Sequence, residues 1–439
     1  MGLWHRGAHV ALSASVAIGT LGAGAGPVSA GGFALREQSA SSQGASFAGS
    51  AAGYDLSSMF WNPAAVAAKS GPGLHAESHY SVIMPRAQVD VDTFNGLPAA
   101  ALPFSSESGD IASPALLGAS YMSYQLNPHM YLGLGVNSPF GLTTEPKNPS
   151  YLGSVLGRTS KLLTFNATPT LGYAVAPGVI VGVGAQIQYG DGELKFATGL
   201  PNGVTTGFEG DGFAFGGTAG ILLQPAGGTS IGLGYRSQLT QSLEGTFYTI
   251  GLPGGASLQT DAEVDVELPD IVTLSIRQAI APNMRLLGTV EWSHWSRFEE
   301  LRVVSKGAGP VISPVGPVLV PGGVSIAAIP ANWEDGWFFS LGGEYDLPSF
   351  GTLRAGVAYE ISPVDSPDKR LVGIPDNDRV WLSVGATVQL TPAMTADLAY
   401  THIFIEDGDF TRSSLAGTPV TGSVEARTDI LSVSLKTKW

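Results

Sequence analysis

Beyond about residue 74 the chain runs in segments of roughly ten residues whose large apolar side chains fall on every second position. Period two sends successive residues to opposite faces of an extended strand, so the pattern demands a sheet rather than a helical core. Val272, Leu274 and Ile276 alternate with Thr273, Ser275 and Arg277. Leu353, Ala355, Val357 and Tyr359 alternate with Arg354, Gly356, Ala358 and Glu360. The rhythm returns at Val380, Leu382, Val384 and Val388, and at Leu431, Val433, Leu435 and Trp439. One face is greasy; the other is small, polar or charged.

A soluble sandwich also alternates, so the links between strands carry the decision. Six are very short: Asn127-Pro128, Ala176-Pro177-Gly178, Pro225 to Gly228, Ala281-Pro282-Asn283, Pro348 to Gly351 and Thr391-Pro392-Ala393. Seven longer connections, roughly 91–113, 138–162, 191–211, 239–266, 296–335, 362–378 and 405–428, alternate strictly with them. Thirteen links predict about fourteen up-and-down strands. Short turns at one end and long connections at the other characterise an outer-membrane barrel. A sheet survives in lipid only by closing on itself, which leaves no unpaired edge. The expected fold is therefore all-β, a transmembrane antiparallel β-barrel of about 14 strands with both chain ends on the periplasmic side. Tyr131, Trp292, Trp295, Trp337, Tyr345, Trp381 and Tyr400 sit near strand ends and are expected to form interfacial girdles.

Composition narrows the class further. Charged residues make up 13% against about 25% in ordinary soluble domains, and 59 of 439 residues are Gly. So little charge with so much apolar surface excludes disorder. With no Cys there is no disulfide scaffold or thiolate site. A net charge of −14 argues against a nucleic-acid partner. Mean hydropathy is only +0.18, and past the N-terminus no stretch of about 18 apolar residues is free of Pro and Gly.

Residues 1–30 read as a secretory signal peptide: Arg6 near the start, an apolar core from Val10 to Ala25, and small residues at Val28-Ser29-Ala30. Residues 31–73 do not alternate. They are rich in Ala, Ser and Gly, with large residues scattered at Phe33, Leu35, Phe47, Tyr54, Met59, Phe60 and Trp61. A solvated tail would carry more charge and fewer aromatics, so this segment is expected to fold into the lumen as a hatch. The barrel follows over 74–439.

Three stretches of that segment, Gly32-Phe33-Ala34-Leu35-Arg36-Glu37-Gln38-Ser39-Ala40, Phe47-Ala48-Gly49-Ser50-Ala51-Ala52 and Met59-Phe60-Trp61-Asn62-Pro63-Ala64, resemble the hatch of the FadL/TodX family. These are outer-membrane transporters for long-chain fatty acids and aromatic hydrocarbons. Similar stretches follow in order: Gly135-Val136-Asn137-Ser138-Pro139-Phe140-Gly141-Leu142, Asn332-Trp333-Glu334-Asp335, Gly343-Glu344-Tyr345, Leu353-Arg354-Ala355-Gly356 and Ile374-Pro375-Asp376-Asn377-Asp378-Arg379. The resemblance implies passive transport of a hydrophobic molecule: capture by extracellular loops, a pocket beside the hatch, and sideways release at a kinked third strand.

Candidate residues follow from both readings. Phe33 and Leu35, with Asn62 and Pro63, are the hatch positions expected near ligand; plain packing for Phe33 and a turn-fixing role for Asn62-Pro63 are the structural alternatives. The third strand, about His129 to Val136, runs into Asn137, Ser138 and Pro139, followed by Phe140 and Gly141. Pro lacks a ladder donor, so Pro139 either opens a lateral portal or simply ends the strand. Strand parity puts Arg236, Arg277 and Arg354 in the lumen as cations for a carboxylate cargo, or as members of ion pairs with Glu344, Glu360 and Asp397. The connection from Gly307 to Asn332 carries no charge. Its Val311, Ile312, Val318, Leu319 and Ile326 are candidates for a surface catch, a cover over the mouth or a protein contact.

The expected partners are a hydrophobic small molecule, outer-membrane lipid and lipopolysaccharide, and the barrel-assembly machinery that reads a final strand ending at Trp439. No enzyme, cofactor or metal is expected. His75, Glu77 and His79 lie at a strand start and read as exposed polar residues. A general diffusion porin and a surface adhesin are the alternative functions.

Overall fold

The computed structural model describes residues 31–68, 73–225, 227–313, 316–348 and 350–438. The expected signal peptide, Trp439, and residues 314 and 315 of the apolar connection lie outside the described residues.

The strands close into an antiparallel barrel of 14 staves. The first is Leu74–Phe94, the second Ala115–Asn127, and the third Met130–Asn137, which resumes as Gly141–Thr144. Thr159–Ala176, Val179–Ala197 and Thr205–Leu223 are the fourth to sixth. The seventh is Thr229–Arg236 continued by Leu239–Ile250, and the eighth Leu258–Leu268 continued by Ile271–Ala281. Met284–Ser293, Gly336–Leu347, Gly351–Ile361, Arg379–Thr391, Met394–Ile405 and Pro419–Lys438 complete the wall. Closure is made by the last strand on the first, from His75 opposite Lys438 to Phe94 opposite Val420.

The eighth stave shows where the membrane ends. In Ile271–Ala281 the outward residues include Leu274 and Ile276, and Thr273 and Ser275 face the lumen, fully buried. Past Pro269-Asp270 the polarity inverts. Asp261, Glu263, Asp265 and Glu267 now face outward, whereas Ala262, Val264, Val266 and Leu268 are buried inside. Lipid accepts only the first arrangement and water favours the second. The barrel therefore continues above the membrane as a water-exposed collar with an apolar interior. This corrects the reading of 239–266 as a loop: it is a β-hairpin, Leu239–Ile250 with Leu258–Leu268. Likewise Gly309–Ser313 pairs with Gly316–Val320, and Ser325–Pro330 pairs with Glu300–Ser305.

Residues 31–68 occupy the barrel interior, almost all of them buried. A single helical turn, Ala40–Gln43, is capped by Ser39, whose hydroxyl accepts from the Ser42 amide. Two 3₁₀ turns follow at Leu56–Phe60 and Pro63–Ala67. The wall is shaved to admit them: a Cβ on Gly234 would overlap the Trp61 carbonyl, and one on Gly182 the Pro63–Ala64 backbone. Here Gly is required by close backbone approach. Below the collar the lumen is held by charge. Lys436 pairs with Asp55 and, at 2.8 Å, with Asp397; Glu344 receives Arg277 at 2.9 Å, Arg285 at 2.7 Å and Arg354 at 2.9 Å.

Three of the expected girdle aromatics point inward instead. Tyr131, Trp295 and Trp381 are buried, Trp381 against Phe47 and Phe338. Trp337, Tyr345 and Tyr400 do face outward. Position near a strand end does not set the face; parity does, and Trp381 shares that of Ser383. His75, Glu77 and His79 are also buried rather than exposed. Glu77 accepts the Ser57 amide at 3.1 Å, and His79 Nδ1 accepts the Ala40 amide at 3.1 Å, so the lumenal contents supply their partners.

Candidate functional site

The third stave is interrupted where the sequence places Ser138-Pro139. Asn137 pairs with Asn166 and Gly141 with Leu163, so residues 138–140 oppose only 164 and 165. That is a bulge, and bulges bend the strand that carries them. On the other side the second and third staves pair from Asn127–Met130 up to Ser120–Val136. Contact resumes at the Ala112–Thr144 bridge. Between these points, residues 113–119 and 137–143 form no ladder with each other.

Residues 33–38 supply partners at this break. Ala34 bridges Phe140; the Leu35 amide donates to the Pro139 carbonyl at 2.8 Å, and the Gly141 amide to the Phe33 carbonyl at 2.9 Å. Gln38 Nε2 donates to the Ser138 carbonyl at 2.8 Å. Residues 33–35 are thus a short added strand that satisfies backbone groups left by the kink. The segment is tied elsewhere by charge. The Gly32 amide donates to Asp376 at 2.6 Å; Asp376 pairs with Arg379; Arg36 reaches Glu291 at 2.6 Å and Glu360 at 3.2 Å. Glu37, next in the chain, is 1% exposed, and no side chain hydrogen-bonds to its carboxylate. Burial pushes that carboxyl up to about 7, with backbone amides and Arg36 opposing the shift.

Phe33 ends in a nest of rings: Trp295 at 4.8 Å between centroids, Phe298 at 5.5 Å, Trp333 at 6.0 Å and Phe140 at 6.2 Å. Above it, inside the collar, opens an apolar cavity of about 120 Å³. Phe33 and Leu142 border it together with Leu162, Phe208, Leu243, Val264 and Leu371. Lys161, Glu193 and Arg412 are its charged lining residues. Lys161 pairs with Asp191 at 3.0 Å and Glu193 with Lys195. Among the described residues Arg412 donates to the carbonyls of Asp368 and Pro330, with the Asp368 carboxylate acting on it at longer range.

Against this geometry the candidates separate. Phe33 borders the cavity. Leu35 packs in a different cluster with Met59, Trp61 and Val66. Asn62 caps the Pro63–Ala67 turn and donates to Ala51 and Ile221, so Asn62 and Pro63 hold the hatch and do not line the cavity. Asn137, Ser138, Pro139, Phe140 and Gly141 all lie at the wall break. Arg277 and Arg354 are consumed by Glu344. Arg236 donates to the Phe60 carbonyl and Gln186 under the Phe60 ring. None of the three cations borders the cavity. In the uncharged connection, Val311 is buried, Ile312 and Ile326 are half-buried, and Val318 and Leu319 are exposed, Leu319 at 75%. Ala328, Ile329 and Pro330 from the same connection form cavity wall.

The model of the outer membrane protein transport protein family (OMPP1/FadL/TodX) matches residues 21–439. The chain belongs to this family. It is 25% identical over 418 residues to the long-chain fatty acid transport protein of Escherichia coli O6:H1, covering 87% of this chain and 88% of that protein. It is 26% identical over 441 residues to the 47 kDa outer membrane protein of Pasteurella multocida, covering 94% and 95%. Among solved structures, a Pseudomonas aeruginosa FadL homologue superposes with a TM-score of 0.80 at 21% identity, covering 92% of this chain and 99% of that one. The P. putida toluene transporter TodX gives 0.64 at 16%, covering 88% and 94%. This FadL/TodX member is a bacterial outer-membrane barrel.

Sequence reasoning missed Lys161, Arg412 and the cavity's leucines. In register Leu243, Val264 and Val266 continue the residues that face lipid lower in the same strands, so only the breaks at Ser237-Gln238 and Pro269-Asp270 could have signalled that they turn inward.

Proposed function

We propose that this FadL/TodX chain conducts hydrophobic molecules passively through the outer membrane, with long-chain fatty acids as its main cargo and the 31–73 segment as its plug. The observation that carries the reading is the placement of Phe33. One hatch residue borders the apolar cavity while its own backbone bonds to the break in the barrel wall. Displacing residues 33–35 frees both places at once, which couples cavity to exit. Cargo then leaves sideways between residues 113–119 and 137–143, and its apolar body never meets the charged lower lumen.

A fatty acid is favoured over a neutral hydrocarbon by Arg412, a guanidinium at an apolar cavity whose hydrogen bonds among the described residues go to carbonyls and not to a carboxylate. A fatty-acid carboxylate fits that position. The names of the Escherichia coli relatives point the same way. The ring nest around Phe33 supports an aromatic hydrocarbon as the second reading.

Binding of palmitate and of toluene to the purified protein tests this. Palmitate is expected to bind more tightly, and Arg412→Gln to weaken it by about 10- to 100-fold, the worth of one charge-assisted bond at about 1.5–3 kcal/mol. Toluene affinity should not change. Tighter toluene binding, or palmitate binding indifferent to Arg412, removes the fatty-acid reading.

A further inference from the structure

The lipid-facing wall carries a second site, unrelated to cargo. Arg86 on the first strand stands directly opposite Arg427 on the last. Both are exposed on the outer face. Like charges in directly opposed positions of a sheet repel. Neither makes an ion pair or side-chain hydrogen bond among the described residues. Their height is fixed by the same inversion of polarity seen in the eighth stave. Toward the membrane the outward residues are Met84 and Val82 on one strand, and the half-buried Asp429 followed by exposed Leu431 and Val433 on the other. Away from it they become Gln88, Asp90 and Asp92, and Glu425 and Ser423. The two guanidinium groups therefore sit at the boundary between acyl chains and headgroups, on the side of the long connections.

Neighbouring groups are already occupied or point to the same height. Asp429 accepts from Tyr400 at 2.6 Å and pairs with His402 Nδ1 at 2.7 Å, with Arg427 acting on its carboxylate only at longer range. Phe404 lies opposite Arg427 on the thirteenth strand and is exposed. Glu425, two residues above Arg427, makes no bond to either arginine. Two adjacent forks of N–H donors, without an ion pair among the described residues and placed over a largely apolar strip, match a phosphate whose acyl chains run down the wall. We infer that Arg86 and Arg427 form a binding site for the phosphate of an acylated, phosphorylated glycolipid of the outer leaflet, its chains lying along Val82, Met84, Leu431 and Val433.

The test uses the purified full chain and native mass spectrometry, with diphosphorylated hexa-acyl lipid A as probe. Wild type should retain the lipid, and the Arg86→Ala/Arg427→Ala double variant should bind it at least about tenfold more weakly. The variant relieves a repulsion, so its melting temperature should hold or rise; should it misassemble, Arg427→Gln alone is expected to weaken binding in the same direction. Dephosphorylated lipid A should bind wild type and double variant equally and weakly. Inorganic phosphate at millimolar concentration should not displace the probe. Equal retention of lipid A by wild type and variant overturns the site. Equal binding of phosphorylated and dephosphorylated lipid overturns the phosphate assignment, and displacement by free phosphate overturns the lipid one.

Discussion

Glu37 shows how one side chain links this fold to pH. Its carboxyl, held near 7 by burial, lies above the ordinary value of 4.5, so the packed hatch holds the proton more tightly than a released one would. Stability from such a group is complete below the unfolded value and is lost as pH rises through the folded one. Hatch docking should therefore loosen from about pH 4.5 to about 7, by an amount on the order of a few kcal/mol. Glu37→Gln stays neutral throughout. The hydrogen-exchange protection of residues 31–68, taken relative to the intrinsic exchange rate at each pH, should then become flat across roughly pH 5–8, and an unchanged slope would discard the idea. Sequence placed Glu37 in the hatch but gave no hint of its isolation, because the residues enclosing it come from distant strands. Phe33 was nearer to legible: an aromatic in a segment of small residues has to pack against something. Which rings receive it depends on connections hundreds of residues away.

At the scale of elements, the third strand is decided by two neighbouring residues and by the segment that answers them. Pro139 has no amide to give, and the extra residue in 138–140 cannot be accommodated without a bend. A strand broken in this way exposes backbone groups, and the hatch takes them. Replacing Ser138 and Pro139 with valines (S138V, P139V) should let the ladder continue toward the second strand. We expect uptake of a radiolabelled fatty acid by cells to fall severalfold while the barrel still assembles, judged by heat-modifiable migration on a gel. Normal uptake by the straightened variant would remove lateral release from the mechanism. Strands and turns were read well because their determinants are local: parity, Pro and Gly. The long connections were read as loops because their outward polarity resembles loop composition. In fact 258–268 keeps period two with the faces exchanged.

Considered whole, the molecule is a wall that lipid solvates outside and an N-terminal segment that the wall solvates inside. The lower lumen joins its charges through Lys436, Asp55, Asp397, Arg354 and Glu344. Removing one partner leaves a buried charge exposed to its neighbours, which costs about 3–5 kcal/mol. A filled lumen of this kind should not conduct. In planar bilayers the intact protein is expected to show no steady open channel, and a variant lacking residues 33–67 to show one. Large steady conductance by the intact chain would favour the porin alternative.

The amino-acid sequence alone determined the number of strands, which residues of a strand share a face, and the presence of a segment that does not belong to the wall. Each of these depends on residues adjacent in the chain, where parity, proline and small side chains act directly. Only the tertiary structure decided which lumenal cations were already spent, that Phe33 meets Trp295 and Trp333, and that Arg86 stands beside Arg427. Those facts depend on closure. Joining the last strand to the first sets residues 341 positions apart side by side, and no local pattern records what will face them.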